Sequence, residues 1–75
     1  MEQYEIRLNP QQKRRFLDVA KKRMGENEIS IATLAKKAGY SKSSVYQFFN
    51  DPEIQNRFLA AKIAHVLDIR REDWR

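Results

Sequence analysis

Cysteine is absent from this 75-residue chain. That excludes disulfides, thiolate metal sites and cysteine nucleophiles together, and removes any need for an oxidising compartment. Long apolar runs are missing too: none approaches the roughly 20 residues of a membrane-spanning helix. The N-terminus, MEQYEIRLNPQQKRR, lacks the apolar stretch of a signal peptide. A cytoplasmic protein with no membrane partner is the expectation. There is a single histidine, His65, and with no cysteine beside it a metal site is not expected. No glycine-rich phosphate loop, G-x-S-x-G or H-E-x-x-H is present. Glu72 and Asp73 are neighbouring carboxylates, but neighbours point apart on a helix, so they read as solvated charges or salt-bridge partners. No catalytic residue, cofactor or small-molecule ligand is expected.

Glycine and proline are scarce as well, two of each, and they fall where helices start or stop. Asn9-Pro10 reads as a cap and a first helical residue, because proline lacks only an N–H that would be unpaired there anyway. A first helix is expected from Pro10 to Met24, ended by Gly25. Phe16, Ala20 and Met24 share one face with Leu17 beside them, and Lys13, Arg14, Lys21 and Lys22 fall mostly on the others. Ser30 caps a second helix, Ile31 to Ala38, with Gly39 at the left-handed position behind it. Ser41 caps a third, Lys42 to Phe49, and Pro52 disfavours helical geometry at Asp51. A fourth is expected from Glu53 or Gln55 to Leu67, with a further turn at RREDW and Trp74 packing back on it. Tyr4, Ile6 and Leu8 alternate without a partner strand, so residues 1–9 read as an arm and residues 10–75 as the domain.

The fold class is therefore all-α, four to five short helices around one core. A domain this small buries only about 60% of the surface its unfolded chain exposes. The expected core is Phe16, Ala20, Leu34, Ala35, Ala38, Val45, Phe48, Phe58, Leu59, Ile63 and Leu67.

What is present in excess is positive charge. Fifteen Lys and Arg against ten Asp and Glu give a formal net charge of +5. With a pI near 9.8, that balance favours a polyanion, nucleic acid before an acidic membrane surface. Plain solubility is the bland alternative.

One stretch turns the charge into a function. LAKKAGYSKSSVYQFFN places a small residue, Ala35, where two helices cross, Gly39 in the turn, and Val45 pointing back into the angle between them. This is the spacing of a helix-turn-helix, whose second helix enters the DNA major groove. A helical hairpin in another kind of small bundle would share the spacing. On the second helix Lys42, Ser43, Tyr46 and Gln47 share an outward face, while Val45, Phe48 and Phe49 turn inward. Glutamine can pair with adenine and lysine can donate to guanine O6/N7, so these four are the candidate base readers. Lys36, Lys37 and Arg57 are candidate phosphate contacts, as is Ser41 at the helix N-terminus. Each lysine alone could equally be a solvated surface charge.

SIATLAKKAGYSKSSVYQFFND followed by FLAAKIAHVLDIRREDW resembles the lambda-repressor/Cro group of phage and bacterial regulators. The likeness runs from about Pro10 to Trp74. It implies a five-helix DNA-binding domain acting as a dimer on double-stranded DNA. Lys42, Ser43 and Gln47 match the group's base-reading positions, and Asn50 matches one that often holds a phosphate. Ile31 stands where the group usually has a polar residue touching the backbone, and the GENE loop is slightly long. AGYSKSSVYQFF is also similar to the tetracycline-repressor type, through Tyr46 and Phe49, but the long ligand domain of that family is missing.

The expected function is a sequence-specific transcription regulator, a small Cro-like repressor of phage or mobile-element type on a palindromic operator. A weak homodimer through Val66, Ile69 and Trp74 is expected, these being apolar residues left over near the C-terminus. Trp74 folding onto its own helix is the competing possibility. The alternatives from other classes are a helical protein-interaction module, which an apolar recognition surface would favour, and an architectural or excision factor.

Overall fold

A computed structural model describes residues 5–75. Four α-helices and a 3-10 turn follow one another: α1 Pro10–Asn27, α2 Ile31–Ala38, α3 Lys42–Asn50, α4 Arg57–Leu67, and the turn Arg71–Asp73. No strand occurs among the described residues, and the fold is all-α. α2 packs against α3 and α4, while α1 packs against α4 and the 3-10 turn.

Local chemistry explains each helix start. The Asn9 side chain accepts the Gln12 N–H at 2.7 Å, and Gln12 returns an acceptor to the Asn9 N–H at 3.0 Å. This reciprocal box, with Pro10 behind it, satisfies two donors that a helix end leaves unpaired. Ser30, Ser41 and Asn56 accept from Thr33, Ser44 and Leu59 in the same way. α4 starts at Arg57, later than the sequence suggests, because Asn56 supplies this cap.

Three helix ends share another device. Glu28, Gly39 and Asp68 adopt left-handed φ of 54°, 77° and 53°. Behind each, an apolar residue donates its N–H back into the last turn: Ile29 to Met24, Tyr40 to Ala35 and Ile69 to Ala64, at 2.8–3.0 Å. All three of these apolar residues pack on the core, the usual companion of this closing motif. Gly25 therefore does not end α1. The helix runs on to Asn27, since Ile29 is the residue that must reach the core.

The core contains Phe16, Leu34, Val45, Phe48, Leu59 and Ile63, each at most 1% exposed. Each such side chain contributes about 1.5–3 kcal/mol over leaving it in water. The Phe16 and Phe48 rings meet edge-on at 6.3 Å, a favourable aromatic geometry. Ile6 and Leu8, expected in an arm, are buried in this core, and the Ile6 N–H donates to the Arg57 carbonyl at 2.9 Å. Tyr4 lies outside the described residues.

Phe58 departs from expectation in the other direction: it is 49% exposed. The inward arc of α4 is taken by Leu59, Ala60, Ile63, Ala64 and Leu67. At 100° per residue, Phe58 falls opposite that arc, on the outer face with Lys62 and His65.

The C-terminal apolar residues are also used internally. Ile69 and Trp74 are buried, and Val66 is half-buried against the same core. Arg23 helps hold this end: its guanidinium donates to the Leu67 and Asp68 carbonyls at 3.3 and 3.1 Å and lies 3.7 Å from the Asp73 carboxylate. Arg15 donates to the Arg75 backbone oxygen at 3.0 Å. Ile69 and Trp74 are thus taken up by the chain's own core, the competing possibility for Trp74.

Candidate nucleic-acid interface

α2, the turn and α3 form the element the sequence singled out. Ala35 is 3% exposed and Val45 fully buried, so the small residue and the inward-pointing residue both occupy the angle between the helices. Gly39 turns the chain with φ 77° and ψ 26°, where a side chain is strained. The Schellman-type bonds from Gly39 and Tyr40 to Lys36 and Ala35 fix where α2 stops. Ser41 then starts α3, its hydroxyl donating to Ser44 Oγ at 2.9 Å and accepting the Ser44 N–H at 3.1 Å. That hydroxyl is committed to the cap, so any phosphate contact by Ser41 shares the group with it.

Eight of the nine residues of α3 divide into two sets, with Ser44 half-buried between them. Val45, Phe48 and Phe49 are buried, whereas Lys42, Ser43, Tyr46, Gln47 and Asn50 are exposed. Tyr46 is 55% exposed, so more than half of its surface is open to a partner. All the expected base readers therefore lie on one outward face. Lys36 and Lys37 are exposed in the last turn of α2, where cations also complement the helix dipole. Among the described residues, Lys36, Lys37 and Lys42 have no carboxylate partner. From Ile29 to Asn50 the chain has no Asp or Glu at all. That gap is a sequence signal, and it concentrates positive charge on the helix-turn-helix more than the net charge implies.

Arg57 is less free than expected. Its Nε lies 2.9 Å from a Glu5 carboxylate oxygen, and its guanidinium sits 5.1 Å over the Phe58 ring. A phosphate there would compete with Glu5. Arg7 and Arg57 line a shallow groove with Asn9, Gln12, Asn56 and Phe58. His65 is exposed, and among the described residues no group of three or more His, Asp or Glu is placed to hold a metal ion. No described helix is long and apolar enough to cross a membrane.

One residue of this region was not legible in the sequence. Lys13 is fully buried. Its Nζ donates to the Asp51 carbonyl at 2.7 Å and to the Ile54 carbonyl, and it lies 4.2 Å over the Phe48 ring. Burial pushes its ammonium below the ordinary value of 10.5, while the Asp51 carboxylate acts the other way. Such a lysine is rare in a core. Only its place on the Phe16 and Leu17 side of α1 hinted at it.

The helix-turn-helix family model matches residues 19–74, well over half of the chain. No curated protein and no solved structure is significantly similar to it.

Proposed function

Because the chain belongs to the lambda-repressor/Cro-like helix-turn-helix family of DNA-binding transcription regulators, we propose that it reads a specific DNA sequence with the outward face of α3. Lys42, Ser43, Tyr46 and Gln47 meet base edges in the major groove. Lys36, Lys37, Ser41, Asn50 and Arg57 meet phosphates, which add affinity and set register without carrying sequence information. The observation that supports this most directly is the polar, basic face of α3, set in a segment with no carboxylate between Glu28 and Asp51. Occupying an operator would block transcription, so the role is that of a small Cro-like repressor, of phage or mobile-element type. One such helix makes few base contacts, and useful specificity then calls for two copies on a palindrome, with half-site centres about 34–36 Å apart. Of the three interface residues expected from the sequence, Val66 is the most accessible, being half-buried where Ile69 and Trp74 are buried.

Selecting bound duplexes from a random pool tests this. A defined site should emerge, and Gln47→Ala should cost about 1–3 kcal/mol on it while relaxing preference at one or two positions. Equal losses on selected and random DNA would refute base reading by Gln47. The protein-docking alternative would rest on Tyr46 and Phe58, large apolar side chains left exposed. It gains ground if no sequence is selected.

A further inference from the structure

The loop of residues 51–56 joins α3 to α4 and stands between Asn50 and Arg57, two of the proposed phosphate contacts. At its α3 end the backbone bonds are local and few. The Asp51 N–H reaches the Gln47 carbonyl, the Ile54 N–H reaches Asp51, and the Glu53 N–H reaches the Asp51 side chain. The side chain that ties its backbone to the rest of the molecule comes from 38 and 41 residues away, the Lys13 ammonium on the Asp51 and Ile54 carbonyls.

A lysine is a poor way to fill a core. Its charge must be desolvated, and a methionine of similar shape would fill the same volume without that cost. What the ammonium adds is direction. Two donors meet two carbonyls, and the charge faces the Phe48 ring from 4.2 Å. Phe48 belongs to α3, and Asp51 is the residue that closes α3. A cation at that end also complements the helix dipole. One side chain of α1 thereby fixes the floor of the recognition helix, its C-terminal closure and the exit loop together.

We infer that Lys13 is a positioning residue for DNA reading: it latches α3 and the loop 51–56 to α1, and so holds the base-reading face in register with the phosphate contacts on either side of that loop. The inference rests on the DNA-reading function proposed above. Lys13 itself touches no DNA, being fully buried.

The test compares the unmutated chain with Lys13→Met at a temperature where both are folded. Amide hydrogen exchange should speed up at Ile54 and its loop neighbours and stay unchanged in the middle of α1 and α4. Affinity for the selected duplex should fall about tenfold, within the range of one misplaced bidentate base contact. Affinity for random DNA should hardly change. The slope of log K against log salt should not change, because no phosphate contact is lost. Equal losses on both DNAs with a shallower slope, or an unchanged affinity ratio with a protected loop, would overturn the inference. Should the methionine variant not fold, Lys13→Gln, a shorter side chain that keeps amide N–H donors but loses the charge, replaces it. If neither folds, Lys13 is an ordinary core residue and the inference falls. A further readout needs no variant: the Lys13 Nζ protons should exchange slowly in the native chain, and exchange as fast as at Lys21 and Lys22 would overturn the latch. If the unmutated chain selects no DNA sequence, the functional reading has failed. The latch is then decided by exchange, upheld by loosening confined to the loop and refuted by its absence.

Discussion

Alanine at Gly25 and alanine at Gly39 should move stability in opposite directions. An added Cβ meets nothing within 4 Å at either glycine, so packing is removed from the comparison and backbone conformation alone decides. Gly25 lies inside α1, exposed, with right-handed geometry. Alanine exceeds glycine there by about 0.8–1.0 kcal/mol in a helix interior. Gly25 is close to the end of the helix, so a gain of about 0.5–1 kcal/mol is the working figure. Gly39 sits at φ 77°, where an L side chain costs about 1–2 kcal/mol. The two variants should then differ by about 1.5–3 kcal/mol, a Tm separation on the order of 10 °C for a domain of this size. Thermal and urea unfolding followed by circular dichroism measure it, with the same m-value expected for all three proteins. A destabilising Gly25→Ala would mean that Gly25, not Glu28, takes the left-handed position and that α1 ends where the sequence suggested. A neutral Gly39→Ala would show that the turn between α2 and α3 is not left-handed.

Glu28→Gly and Asp68→Gly should each stabilise by up to about 1 kcal/mol, because both residues now hold left-handed backbone. A lowered Tm in either would refute the helix end drawn there. Trp74→Ala should cost about 3–5 kcal/mol and leave much of the chain unfolded. Trp74→Phe should cost far less, since it also removes a buried indole N–H that has no acceptor among the described residues; equal damage from both would show that the N–H is satisfied. Lys13 should titrate below the ordinary lysine value of 10.5 when its Cε carbon is followed by NMR. Between its folded value and 10.5 the unfolded chain holds more protons. Its contribution to stability therefore rises with pH through that window and is flat below it. The stability of the native chain relative to Lys13→Met should increase on going from pH 7 towards 10.5. A Lys13 midpoint at or above 10.5 would refute the assigned desolvation.

What the sequence disclosed was chemistry that acts over three or four residues. Asn9-Pro10, Ser30, Ser41 and Gly39 each do their work within one turn, so their roles could be read directly. The division of α3 into Val45, Phe48 and Phe49 against Lys42, Ser43, Tyr46 and Gln47 follows from helical period alone. The readings that failed depended on distant partners. Gly25 looked like a stop because nothing local reveals that Ile29 must reach the core. Lys13 looked solvated because its acceptors lie 38 and 41 residues away. Ile6 and Leu8 carried no helical period, yet both are buried, and the start of α4 offers Ile6 a backbone partner. Phe58 looked buried because it is large and apolar, but Leu59, Ala60, Ile63, Ala64 and Leu67 take the inward arc of α4.

The burial of Trp74 has a practical consequence at the bench. It is the only tryptophan in the chain, and it sits in the segment that follows the 3-10 turn packed on α1, outside the helix-turn-helix. Its emission should be blue-shifted in the native state and move to the red as the chain opens. DNA bound on α3 would not stack on the indole, so a quench by direct contact is not expected. Intrinsic fluorescence can therefore report whether the domain is folded while a dye on the duplex reports occupancy. Loss of binding and loss of structure can then be separated in a single cuvette for every variant named above that keeps its indole.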